Sequence, residues 1–233
     1  DEQQQDVGQC DRPRFDHLPD FHRPRDHCGK QDHTQAQVGN QERCTATGTA
    51  NGILVDASGS AALHRLAEAK GAVELLLADC YVRRDQVALV SFRGVDADLL
   101  LPPTRSLVQA KRRLAELPGG GGTPLAAGLN CVLELSHGIV RRGATPVIVA
   151  LTDGRANISV DGKPGREQAH LDALTAARRL RAAGLTTLLI DTSPRPGPRG
   201  EELALAMGAR YLPLPHADAA HLSAAVRAQT QAA

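Results

Sequence analysis

The sequence predicts an α/β fold: a doubly wound, mostly parallel sheet with helices on both faces and one antiparallel edge strand. Three observations predict it. Short β-branched and aliphatic runs, which suit strands buried on both faces, alternate with stretches whose apolar residues recur at helical spacing. Two of the runs lead into an Asp and a polar loop, at Asp56 and at Asp153. One pair of runs is separated only by Arg93 to Ala97, too little chain for a crossover helix, so those two must pair as an antiparallel hairpin at a sheet edge.

Residues 1–50 stand apart from this pattern. They are rich in Gln, Asp, His and Arg, and their apolar residues (Val7, Phe15, Leu18, Phe21, Val38) are isolated. Too little apolar surface is present to offset chain entropy, so the segment reads as a disordered or non-native lead-in. The spacing of Cys10, His17, His22, His27, Cys28, His33 and Cys44 gives no CxxC or HxxxH pairing, which disfavours a zinc site. The folded domain is expected over residues 51–233.

Within it, Ile53-Leu54-Val55-Asp56 is the first strand. Leu66, Ala69, Val73, Leu76 and Cys80 then form one apolar helix face, with His64 expected at the surface. Gln86 to Phe92 is the second strand, and Asp98 to Leu101 the third, ended by Pro102-Pro103. Ser106 is placed to cap a helix running to about Leu117. Four glycines, Gly119 to Gly122, make a loop whose backbone can approach a neighbour closely. Pro124 suits the first turn of the next helix, which puts Thr123 at its N-cap; Leu125, Leu129, Val132, Leu133 and Leu135 carry that helix on. Pro146 to Thr152 is a strand running into Asp153-Gly154. Arg155 to Gly165 is a polar loop before an Ala- and Arg-rich helix that ends near Gly184. Thr186 to Ile190 is a strand ending on Asp191, Glu201 to Met207 a helix, Arg210 to Leu212 a short strand, and Ala217 to about Gln229 the last helix.

Composition narrows the function. Aromatic residues make up 2% of the 233 residues, so the core is aliphatic, and a formal net charge of +1 gives no case for nucleic acid or an anionic membrane. No apolar run reaches the length of a membrane span. Five cysteines at irregular spacing argue against a disulfide framework and for a reduced, cytoplasmic protein. The chain begins at Asp1 and is expected to be a fragment.

Ligand crevices of doubly wound sheets lie at the carboxyl ends of the strands, so the Asp56 loop, the Gly119–Pro124 loop and the Asp153 loop are expected to converge. Asp56, Ser58 and Ser60 form a hard-oxygen set without thiol or imidazole, suited to Mg²⁺, and Thr123 and Asp153 lie on the other two loops. Each residue has a plainer reading: Asp56 as a strand-end cap, Ser58, Ser60 and Thr123 as helix caps, Asp153-Gly154 as a turn. Enzyme readings are weaker. A phosphatase of the haloacid-dehalogenase type needs a second Asp where Ser58 stands. Asp-Ala-Ser-Gly-Ser is not the elbow of a serine hydrolase, and the glycine loop lacks the Lys of a P-loop.

The Asp56-x-Ser58-x-Ser60, Thr123 and Asp153 set resembles the metal-ion-dependent adhesion site of von Willebrand factor A (integrin I-like) domains. Val55 to Ala62, Gly119 to Gly128 and Leu151 to Ile158, with Leu189 to Pro194 and Ala209 to Leu214, are similar to the D-subunit family of magnesium chelatases. The similarity covers about residues 53–228. It implies Ser58, Ser60 and Thr123 as direct Mg²⁺ ligands, with Asp56 and Asp153 binding directly or through water. It further implies a non-catalytic subunit of the ATP-dependent enzyme that inserts Mg²⁺ into protoporphyrin IX, in chlorophyll and bacteriochlorophyll synthesis. Partners on that reading are an AAA+ I subunit, which uses the ATP, and a porphyrin-binding H subunit. Arg155 and Asn157 lie on the same rim and are candidates for tuning partner choice. A docking domain of another AAA+-partnered assembly, such as a cobalt chelatase, and an Asp-based phosphatase are the alternatives.

Overall fold

The computed structural model describes residues 48–58, 74, 77–117, 119–214, 224 and 228. The expected lead-in before residue 48, Ser60, His64, most of the expected first helix and most of the expected last one lie outside the described residues. Residues 77–82 are helical, and they include Cys80, which is fully buried.

Six strands are described: β1 (Thr49–Asp56), β2 (Gln86–Arg93), β3 (Asp96–Thr104), β4 (Thr145–Thr152), β5 (Thr186–Asp191) and β6 (Arg210–Pro213). Four complete helices accompany them: α1 (Leu107–Ala115), α2 (Leu125–Arg141), α3 (Arg166–Ala182) and α4 (Pro198–Met207). The strands form one sheet in the order β3-β2-β1-β4-β5-β6. Every neighbouring pair is parallel except β2 and β3, which form the expected antiparallel edge hairpin.

Alternation along the strands builds two cores. Ile53, Val55, Val149, Leu151, Leu188 and Ile190 point to the face covered by α1 and by Leu77 and Cys80. Leu54, Ile148, Ala150 and Leu189 point to the other, where α2, α3 and α4 pack with Phe92. Strands with apolar residues on both sides carry no alternation in the sequence, which is why they read as continuous aliphatic runs. The described residues contain no helix long and apolar enough to cross a membrane.

The strand order places β1 and β4 side by side at the point where the winding reverses direction. That is where a doubly wound sheet opens a crevice at its carboxyl edge, and Asp56 and Asp153 flank it.

Most element ends fall within two residues of expectation, and four differences have a physical reason. β1 starts at Thr49, ahead of its aliphatic run, because Thr49 to Asn51 pair with Thr145 to Val147 of β4. β3 runs through Pro102 and Pro103 to Thr104; an edge strand has one unpaired side and so tolerates residues without an N–H. α4 begins at Pro198, three residues before Glu201, with proline in its first turn, and closes on the left-handed Gly208. Thr123 is not a helix cap: Pro124 holds that position before Leu125, with ψ of 63° and no side-chain cap bond. Ser106, by contrast, caps α1 as expected, accepting the Gln109 N–H at 3.3 Å.

Candidate metal site

Thr123 is withheld from capping because its backbone is tied to the loop after β4. Its N–H donates to Asn157 Oδ1 at 2.6 Å, and its carbonyl accepts the N–H groups of Asn157 and Ile158 at 3.2 and 3.5 Å. The glycines before it make this possible. Gly120 and Gly121 have φ of 110° and 95°, which other residues rarely adopt. A Cβ on Gly122 would stand 2.5 Å from both the Gly94 carbonyl and Ile158 Cγ1. Gly94 N–H donates to Gly122 O at 2.9 Å, and Gly120 N–H to Ala57 O at 3.0 Å, so the loop is stitched to the β2–β3 turn and to the β1 end.

The freed Thr123 hydroxyl lies 2.7 Å from Ser58 Oγ. Ser58 Oγ donates to Asp56 Oδ1 at 2.6 Å. A serine hydroxyl has one proton, so Thr123 is the donor in its bond to Ser58. Asp56 Oδ1 also accepts the Ser58 N–H at 2.9 Å, and Thr152 donates to Asp56 Oδ2 at 3.1 Å. Asp153 lines the same cleft as Asp56, Ser58 and Thr123, and its Oδ1 accepts the Arg155 N–H at 3.0 Å. Four of the five expected site residues are therefore brought together; Ser60 lies outside the described residues.

The electrostatics are unbalanced. Burial pushes the Asp56 carboxyl up to about 6, the negative charge of Asp153 adds to the rise, and the bonds from Ser58 and Thr152 oppose it. Among the described residues no Lys, Arg or His forms an ion pair with Asp56. A cation placed beside this carboxylate would offset the cost of its burial and the repulsion from Asp153. No group of three or more His, Cys, Asp or Glu side chains that could hold a metal exists among the described residues, so the oxygens must come largely from hydroxyls. Oxygens spaced 2.6–2.7 Å apart sit close to the roughly 3.0 Å edge of an octahedron with 2.1 Å metal–oxygen bonds. The donor set fits Mg²⁺.

Residues 52–155 match the model of the von Willebrand factor type A domain. The chain belongs to that family. It is 58% identical over 171 residues to the magnesium-chelatase 60 kDa subunit of Cereibacter sphaeroides, covering 73% of this chain and 31% of that protein. It is 43% identical over 183 residues to the magnesium-chelatase 67 kDa subunit of Chlorobaculum tepidum, covering 74% and 30%. The chain thus spans about a third of the length of these curated relatives. Among solved structures, the vWF domain of the type V pili tip protein Mfa5 from Porphyromonas gingivalis superimposes with a TM-score of 0.62 at 14% identity, covering 80% of this chain and 95% of that one.

Two residues of this vWA domain matter more than their sequence signals suggest. Thr152 is the last residue of an apolar strand, yet the register that sets Val55 beside Leu151 carries it to Asp56. Asn157, which the sequence places on the rim as a candidate contact, is exposed in the lining of the cleft, and its Oδ1 also holds the Thr123 N–H. Only the alternation of β4 hinted at the first. Nothing local marks the second.

Proposed function

We infer that this domain holds one Mg²⁺ through Asp56, Ser58, Ser60, Thr123 and Asp153 and uses it to dock a partner within a magnesium chelatase. The observation that carries the reading is the half-buried Asp56 carboxylate, raised to about 6 beside a second carboxylate, with two hydroxyls converging on it and no cation paired to it among the described residues. The ion, when bound, supplies a Lewis-acidic position open to a carboxylate from another molecule. Ser58 and Thr123, being neutral, leave positive charge on that position. Asn157 and the glycine loop keep Thr123 in place. On this reading the domain grips a partner and the chemistry takes place elsewhere.

The high identity to chelatase subunits supports placing the chain in the complex that inserts Mg²⁺ into protoporphyrin IX, in chlorophyll or bacteriochlorophyll synthesis. In that complex the AAA+ I subunit consumes the ATP, the H subunit binds the porphyrin, and this domain couples the two from a cytoplasmic location. A pull-down of the I subunit by the full chain, with Mg²⁺ or with EDTA, tests the reading. Capture in Mg²⁺ that is lost in EDTA and in Thr123→Ala supports it. Metal-independent capture, or none, overturns it.

A further inference from the structure

The cleft that contains the oxygen cluster has a volume of about 570 Å³ in all. That is far more than one incoming carboxylate needs and is within the range of ligand-sized clefts. Four arginines line it: Arg155, Arg166, Arg195 and Arg199. All four are exposed, and none forms an ion pair among the described residues.

Their placement is costly for the fold alone. Arg166 is the first residue of α3 and Arg199 the second of α4. Both sit where the positive end of the helix dipole disfavours a cation. Two helix N-termini and four guanidinium groups therefore bear on one cleft, in a chain whose formal net charge is only +1. The same lining carries two carboxylates, Asp56 and Asp153, so the four arginines outnumber the acids there.

The wall that carries Arg195 and Arg199 is also built. Asp191, fully buried at the end of β5, accepts the Ser193 N–H at 2.8 Å and the Tyr211 hydroxyl at 2.5 Å. Ser193 Oγ donates to the Arg195 carbonyl at 2.8 Å. Gly200 is backed by Asp191 on one side and Gly154 on the other: a Cβ on it would stand 2.7 Å from Asp191 Oδ2, and one on Gly154 would stand 3.0 Å from the Gly200 backbone. The arginines thus project from a strapped turn held at a set place relative to the Asp153 loop.

We propose that this arginine wall is a second subsite that recognises an acidic segment of a partner protein, with at least two carboxylates engaged at once. One carboxylate goes to the Asp56–Ser58–Thr123 cluster through the ion, which rests on the function proposed above. The others meet Arg155, Arg166, Arg195 and Arg199, whose planar forks match carboxylates in bidentate fashion. A lone Asp or Glu satisfies the first requirement and leaves the wall unused, so the partner's selectivity lies in its flanking acids.

Fluorescence anisotropy of a fluorescein-labelled hexaglutamate peptide, titrated with the full chain at 50 mM salt with Mg²⁺ or EDTA, tests this. Arg195→Gln/Arg199→Gln is expected to weaken peptide binding by about tenfold, a size consistent with two exposed ion pairs. Its Mg²⁺-dependent thermal shift should be that of the unsubstituted chain. Binding should also fall steeply between 50 and 300 mM salt. Peptide binding that the double variant leaves intact overturns the subsite while the metal reading stands. Arginine-dependent binding that ignores EDTA supports the subsite and removes the metal from it. Failure of the unsubstituted chain to bind the peptide at millimolar concentration, or equal competition by inorganic phosphate, overturns the proposal.

Discussion

Replacing Asp56 by Asn separates what the fold needs from what the site needs. Burial raises the carboxyl from 3.8 to about 6, a rise of about two pK units, and each unit corresponds to about 1.4 kcal/mol. A raised carboxyl favours the protonated folded state. Its contribution is therefore fully present below pH 3.8 and is lost as pH rises through 6. At pH 7.5 the metal-free protein is less stable by roughly 3 kcal/mol than it would be with a neutral group at this position, and at pH 5 by about half that. Asn keeps an oxygen for the Ser58 N–H and hydroxyl, and its Nδ2–H donates to Thr152 Oγ1 once that hydroxyl turns its proton away, so it removes the charge with little loss of bonding. In EDTA at pH 7.5 the Asp56→Asn chain should melt higher than the unsubstituted chain by about 6–12 °C, a gap that narrows at pH 5. In Mg²⁺ the order should close or reverse, since only the unsubstituted chain gains binding energy. Differential scanning calorimetry of both chains in EDTA and in Mg²⁺ at the two pH values reads all four cases. An Asp56→Asn chain less stable than the unsubstituted one in EDTA at pH 7.5 would refute the reasoning, because the carboxylate would then be a structural anchor.

Three further outcomes are expected. Gly122→Ala puts a Cβ 2.5 Å from the Gly94 carbonyl and Ile158, so the loop must open, Thr123 must leave Ser58, and the Mg²⁺-dependent rise in Tm should shrink or vanish while far-UV circular dichroism is kept. Asn51 is fully buried in β1, and its Nδ2 and Oδ1 have no hydrogen-bond partner among the described residues; Asn51→Val should raise stability by roughly 1–3 kcal/mol in urea titrations. Cys80 is fully buried and burial pushes its thiol up to about 12, so peptide mapping after alkylation of the native chain at pH 8 should find it unmodified until the protein is unfolded.

The sheet could be read ahead of the structure because buried parallel strands announce themselves as aliphatic runs, and Asp56 and Asp153 interrupt two of them at the same edge. The edge hairpin followed from the brevity of Arg93 to Ala97 alone. The length of β3 could not be read, since Pro102 and Pro103 signal a break everywhere except on an edge. Thr123 is a candidate site residue in the sequence, which does not show that its hydroxyl is kept out of a cap; the choice depends on Asn157, 34 residues away. Thr152 reaches Asp56 only through the β1–β4 register. The arginine wall was the least legible part. Arg155 and Arg166 come from the connection between β4 and α3 and the start of that helix, Arg195 and Arg199 from the connection between β5 and α4 and the start of that one, and exposed arginines carry no periodic pattern that would tie them together.

The most direct test is isothermal titration of Mg²⁺ into the full chain at pH 7.5, alongside Asp56→Asn and Thr123→Ala with their folds verified by circular dichroism. One saturable ion per chain is predicted, abolished by Asp56→Asn and at least tenfold weaker in Thr123→Ala, the loss of a single hydroxyl ligand. No saturable binding at millimolar Mg²⁺, or binding that both substitutions leave unchanged, would contradict a metal held by Asp56, Ser58 and Thr123.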